Sequence, residues 1–227
     1  MTSKLPEQSI LLSSHQNNIK GEYRRLSVKE YRQKMMSGWI GKLAGRSLEE
    51  KKFPCIHRSD PNKPRWEDKL AFSRLKTDET SDDLNVQITF LETLDKYGID
   101  VSQRQAGLDF ANSRYLLYHA NEAGRNNLRM GIAPPDSGHP RFNQHADDLD
   151  YQIEADFAGL VSPGMPNQCI ELGEKFGRIV SSGDGVYGGQ WIAGMYAEAF
   201  FEADPVKIRR SGAKMHSSRK PILRDDQ

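Results

Sequence analysis

Residues 81–98, SDDLNVQITFLETLDKYG, read as one amphipathic helix with two adjacent carboxylates at its head. Leu84, Ile88, Leu91 and Leu94 recur at intervals of four, three and three, the spacing of one helical face. Gly98 stands where a helix C-terminus favours glycine. The pattern therefore predicts a helix over about 84–97 with those four residues toward a core. Asp82 and Asp83 have two readings. One aspartate caps the helix while the other favours its dipole, or Ser81, Asp82 and Asp83 together offer oxygens to a hard cation such as Mg2+. Adjacent helical positions diverge by about 100°, so only the looser geometry ahead of the first turn lets the pair converge. Taken alone, the three residues favour the cap.

Working outward, the chain keeps returning to helical spacing. Ser27 is a candidate N-cap with Glu30 in the capping-box position, followed by Val28, Tyr31, Met35, Trp39 and Leu43 on one stripe. Gly38, Gly41 and Gly45 interrupt that helix at three- and four-residue intervals, which predicts close approach by a backbone or a ligand. Further helices are expected over 103–119, 149–161, 167–181 and 189–203, separated by SPGMP (162–166) and SGDGVYGG (182–189). The last helix is small and apolar on nearly every side, so it should be the most buried. Residues 49–80 and 121–148 read as long loops. No stretch alternates with period two, and the fold expected is all-α.

Bulk properties narrow the function. The chain has 227 residues, 37% hydrophobic and 28% charged, with a formal net charge of +1. That balance speaks against nucleic acid or an anionic membrane as the main partner. The longest apolar run, WIAGMYAEAFF (191–201), is too short to span a bilayer. No apolar leader of secretory type opens the chain. The two cysteines, Cys55 and Cys169, stand far apart and read as free thiols, so a cytoplasmic location is expected.

Two regions carry further chemistry. His139, His145, Asp147, Asp148 and Asp150 crowd into one loop, but their spacing matches no defined metal motif, and a solvated loop is the favoured reading. The turns GIAPPDSGHP and SGDGVYGG would expose backbone amides, the second ahead of a helix N-terminus, a setting that suits a phosphate-bearing ligand.

Taken in order, these pieces resemble the ADP-ribosylglycohydrolase family over about Val28 to Ile208. The resemblance rests on GWIGKLAG, SDDLNVQITFLETLDKYG, GIAPPDSG, YQIEADFAGLVSPGMPNQCIELGEKFGRIVSSGDGVYGG and WIAGMYAEAF. It implies an all-α, orthogonal multi-helix bundle of that family's type, here with its C-terminal helices missing. It also implies a cleft with two Mg2+ ions and hydrolysis of the glycosidic bond joining ADP-ribose to a protein side chain or small acceptor. Ser81, Asp82 and Asp83 match the family's first metal motif. The loops at 131–143 and 182–189 would then contact the ADP-ribose through Ser137, Gly138, His139, Gly185, Tyr187 and Gly188. Asp156 is a further candidate whose plainer reading is a surface carboxylate.

The sequence departs from the family at its second metal motif, an Asp-x-Asp followed by a small hydroxyl residue near the C-terminus, for which RDDQ (224–227) is no substitute. The expected organisation is an irregular segment over 1–26, an incomplete helical domain over 27–208 and a basic tail over 209–227. Back-translating RSGAKMHSSRKPILRDDQ with permitted codons and advancing one nucleotide can give EAGLKCIPPGSQYCETI. That reading resembles the family's usual continuation, so a frameshift-derived, truncated C-terminus is expected. The alternative to a hydrolase is a non-catalytic helical domain that binds an ADP-ribose-like ligand. A third reading has the basic tail bind an acidic partner.

Overall fold

The computed structural model describes residues 24–49 and 81–217. Their regular structure is helical, with no β-strand among the described residues, in agreement with an all-α fold. The expected loop over 50–80, Cys55, Gln227 and the first 23 residues lie outside the described residues. No helix among those described is long and apolar enough to cross a membrane.

The chain divides into two compact units. The first unit holds α1, Val28–Glu49. Its start follows the expected chemistry: the Glu30 amide donates to Ser27 Oγ at 3.1 Å. At two of its three glycines the anticipated close approach is not observed among the described residues, since a Cβ at Gly41 or Gly45 would meet nothing within 4 Å.

The second unit begins with α2, Asp82–Tyr97, closed by Gly98 at φ +76°, whose amide donates to Leu94 O at 2.8 Å. The helix is where the periodicity placed it, but its buried face is different. Val86, Gln87, Phe90 and Thr93 point inward, whereas Ile88 is exposed and Leu91 and Leu94 only flank the core. Phe90 decides this orientation. Its ring lies 4.9 Å from Phe176, 5.8 Å from Phe157 and 5.9 Å from Phe110, and each such pair adds roughly 0.5–1.5 kcal/mol to simple burial.

The helix expected over 103–119 ends early. α3 spans Gln103–Ala111, residues 112–118 are irregular, and α4 spans His119–Arg129 inside the stretch read as a loop. Two arginines one turn apart on α4 account for the break. Arg125 donates to Tyr115 O at 2.7 Å and Ser113 Oγ at 3.2 Å, and Arg129 donates to Ala111 O at 2.8 Å and Ser113 O at 2.6 Å. These guanidinium donors satisfy carbonyls that would otherwise be orphaned at a helix end.

The rest of the unit is a stack of short helices around one long one. α5 (Asp150–Glu154) and α6 (Asp156–Leu160) divide the expected 149–161 helix at Ala155. α7 (Pro166–Leu172) runs through a π-helical turn, Gly173–Gly177, into α8 (Arg178–Val180). α9 (Gly183–Glu198) starts six residues before its expected position and packs on α5, α6, α7 and α10. Its glycines explain both its start and its central place. A Cβ at Gly188 would lie 2.6 Å from Gln152 Cδ, and one at Gly185 would lie 2.9 Å from Ala146 O. Finally, α10 (Pro205–Ser217) carries the helical structure past Ile208 into the stretch read as a basic tail. Trp191 Nε1 donates to Arg209 O at 3.3 Å, and Gly212 sits against Trp191 and Met195.

Candidate functional site

The head of α2 answers the question its sequence raises. Ser81 is buried, but its side chain makes no capping hydrogen bond, and its carbonyl instead accepts from Asn85 N and Nδ2 at 3.2 and 2.9 Å. Asp82 reaches away from its own helix: Oδ2 accepts from the Tyr118 amide at 3.0 Å, at the entry to α4. Asp83 is half-buried beside it. The first carboxylate is therefore used as a link between two helix N-termini.

Across from this link stands α5. Asp150, 6% exposed, accepts from the Asn121 amide of α4 through Oδ1 at 3.4 Å. Burial raises its carboxyl above the usual range, the amide hydrogen bonds and His119 oppose that, and the negative charge of Asp82 adds to it. The negative charge of Asp82 thus adds to the burial that disfavours ionisation of Asp150, a cost that a bound cation relieves. The donors are all oxygen, which fits a hard divalent ion.

Deeper in, the polar chain continues. Asn121 Nδ2 donates to Glu154 Oε1 at 2.6 Å; Gln87 Nε2 donates to Glu154 O at 2.7 Å and to the Asp156 carboxylate. Gln87, Asn121 and Glu154 are fully buried, and Gln87 Oε1 and Asn121 Oδ1 have no hydrogen-bond partner among the described residues. Asp156 is 3% exposed, so its plainer reading as a surface carboxylate is corrected. Its place one turn beyond Gln152, on the inner face of α6 against Gln87, removes it from solvent.

The remaining expected contacts separate. Ser137 is fully buried, its hydroxyl donates to Ile179 O at 2.8 Å and its carbonyl accepts from Asn127 Nδ2 at 2.9 Å. A Cβ at Gly138 would lie 2.7 Å from Ser181 N. Both residues are committed to holding this loop on α8. His139 is exposed, with Nδ1 accepting from the Arg141 amide at 3.2 Å. The 182–189 turn is helical from Gly183, so Gly185 and Gly188 serve the packing of α9 on residues 146–152, and Tyr187 is exposed near Arg178. Cys169 is a free, buried thiol whose desolvation pushes its pKa up to about 12, in keeping with an inert core residue.

Sequence spacing did not single out Asn121, Glu154 or Gln87. A signal was present for Glu154: it stands four residues after Asp150, on the same face of one helix. Searches against family models, curated proteins and solved structures returned no match for this chain.

Proposed function

We propose that the second unit is an ADP-ribosylglycohydrolase-type domain in which Asp82 and Asp150 hold Mg2+ beside a bound ADP-ribose, for hydrolysis of its bond to a protein side chain or small acceptor. The observation that carries this reading is the hydrogen bond from the Tyr118 amide to Asp82, which ties the head of α2 to the start of α4, where the Asn121 amide donates to Asp150. Ser81 and Asp83 flank that carboxylate, and Asp83 is the next oxygen donor available to the ion.

Cleavage at the anomeric carbon develops oxocarbenium-like positive charge, which nearby carboxylates favour. Bound there, the divalent ion supplies Lewis acidity toward a ribose hydroxyl or water. Asp150, buried and accepting from the Asn121 amide, is held in place by α4 as the second acid. Tyr187 and His139 are the exposed side chains that would meet the nucleotide, whereas Ser137 and Gly138 orient their loop from beneath.

A second reading rests on one observation: no Asp-x-Asp followed by serine or threonine occurs in the sequence. Under it the domain binds an ADP-ribose-like ligand without cleaving it. Incubation with ADP-ribosylated protein and Mg2+ separates the two. Release of ADP-ribose that is lost on chelation and in Asp82→Asn supports the hydrolase. ADP-ribose binding by calorimetry that is indifferent to Mg2+, with no release, supports the second reading and overturns the first.

A further inference from the structure

Beside the acidic pair lies a second cluster with different donors. His119, His145 and Asp148 each offer one ligand atom, and these atoms all lie within 4.8 Å of one another. His145 Nδ1 is 2.8 Å and His119 Nδ1 3.5 Å from the same Asp148 Oδ2, and the two rings meet edge to face with centroids 5.4 Å apart. All three are accessible: their side chains are 66%, 35% and 37% exposed for His119, His145 and Asp148.

The cluster is assembled by buried groups outside it. Asn143, 1% exposed, accepts from the His145 amide through Oδ1 at 3.0 Å. Its Nδ2 donates to Ala120 O at 3.0 Å and to Val180 O at 2.8 Å. One side chain thus fastens the segment bearing His145 to the residue that follows His119. The Asp148 amide donates to His145 O at 2.9 Å, which fixes the third member. His119 itself has φ +44°, a left-handed conformation that is unfavourable for a non-glycine residue.

The geometry points to a transition-metal site on His119, His145 and Asp148 that takes a divalent ion of borderline softness, of the Zn2+ class. Two imidazoles with one carboxylate select such an ion over Mg2+. Tetrahedral ligands at the usual Zn–N and Zn–O distances stand about 3.3 Å apart. The cluster therefore needs its widest pair to close by up to about 1.5 Å and the His145–Asp148 contact to open by about 0.5 Å. Three protein ligands leave a fourth position facing solvent, the pattern of a reactive zinc rather than a closed structural one. This site is separate from the Asp82–Asp150 pair in donors and in preferred ion, and it stands whether or not the ADP-ribose reading does.

The test uses the full chain, stripped with chelator, titrated with Zn2+ by calorimetry and with Co2+ by visible absorption. The wild type is expected to bind one equivalent and to give the intense d–d bands of tetrahedral Co2+. His119→Ala, His145→Ala and Asp148→Asn should each weaken binding at least about tenfold and lose those bands. His139→Ala and Asp82→Asn should stay within about twofold. Circular dichroism checks that each variant is folded, and Asp148→Asn, which keeps the side chain's shape, carries the test if a histidine variant is not. No saturable Zn2+ binding, or equal binding by all variants, would leave the contacts as ordinary histidine–carboxylate pairs and overturn the site. An equal loss in Asp82→Asn would merge the two clusters and overturn their separation.

Discussion

Gly159→Ala tests the packing that holds α5 and α6 in place. A Cβ at Gly159 would fall far inside van der Waals contact of the Ala193 carbonyl oxygen and 2.7 Å from Tyr196 Cβ, where ordinary contact begins at 3.4 Å. Neither obstacle is the end of a flexible side chain, so α6 must move off α9 by more than half an ångström. A gap of 0.5–1 Å forfeits about a quarter to a half of the dispersion energy of the atoms it separates. Overpacking of this kind costs about 1–3 kcal/mol, and a backbone obstacle places Gly159 at the upper end. Alanine returns about 0.4–1 kcal/mol by restricting the unfolded chain, which leaves a net loss of about 2 kcal/mol. Gly107→Ala is the internal comparison. Its Cβ would meet Pro134 Cγ at 2.8 Å and Leu128 Cδ2 at 3.2 Å, side-chain atoms that can yield further than the Ala193 carbonyl, so it should cost less than Gly159→Ala. Urea unfolding followed by far-UV circular dichroism ranks the two. If Gly159→Ala unfolds with the wild type, or after Gly107→Ala, then α6 and α9 do not meet at backbone distance and the placement of Asp150 and Asp156 fails with them.

Two other expectations follow from the site. Burial and the Asp82 charge raise the Asp150 carboxyl in the folded state, so between its unfolded and folded pKa values the native protein holds more protons than the unfolded chain. Its contribution to stability is therefore expected to fall as pH rises through that window, and urea titrations at several pH values should show the slope vanish in Asp150→Asn. Ser137→Ala removes a buried hydroxyl that donates to Ile179 O, with an expected loss of about 1 kcal/mol in urea unfolding and no change in ADP-ribose affinity by calorimetry. A drop in that affinity would return Ser137 to the ligand's contacts.

The helical character of the chain was legible because hydrophobic spacing survives averaging over many residues. Which face of a helix turns inward was less so. On α2 the leucine stripe looked like the core face, yet one aromatic side chain, Phe90, gains more by meeting Phe110, Phe157 and Phe176 than several leucines gain at the margin. Glycine misled twice in opposite senses. Gly183–Gly189 read as a turn, but tertiary contact with residues 146–152 outweighs glycine's poor helix propensity and begins α9 there. Gly41 and Gly45 read as close contacts and have none among the described residues. The 121–129 helix was hidden because its stabilisation comes from Arg125 and Arg129 reaching back to residues 111–115, a pairing that no local pattern encodes. For the site, local sequence marked Asp82, whereas Asp150, Asn121 and Glu154 join it only through the meeting of α2, α4 and α5.

The measurement closest to the central claim is Mg2+ binding by calorimetry, with ADP-ribose present, in the wild type, Asp82→Asn and Asp150→Asn. Asparagine at position 82 keeps an acceptor for the Tyr118 amide and removes only the charge, so the fold should persist while Mg2+ affinity falls at least about tenfold, and Asp150→Asn should do the same. Unchanged Mg2+ affinity in both folded variants would show that these acids merely tie helices together, and the glycohydrolase reading would be withdrawn.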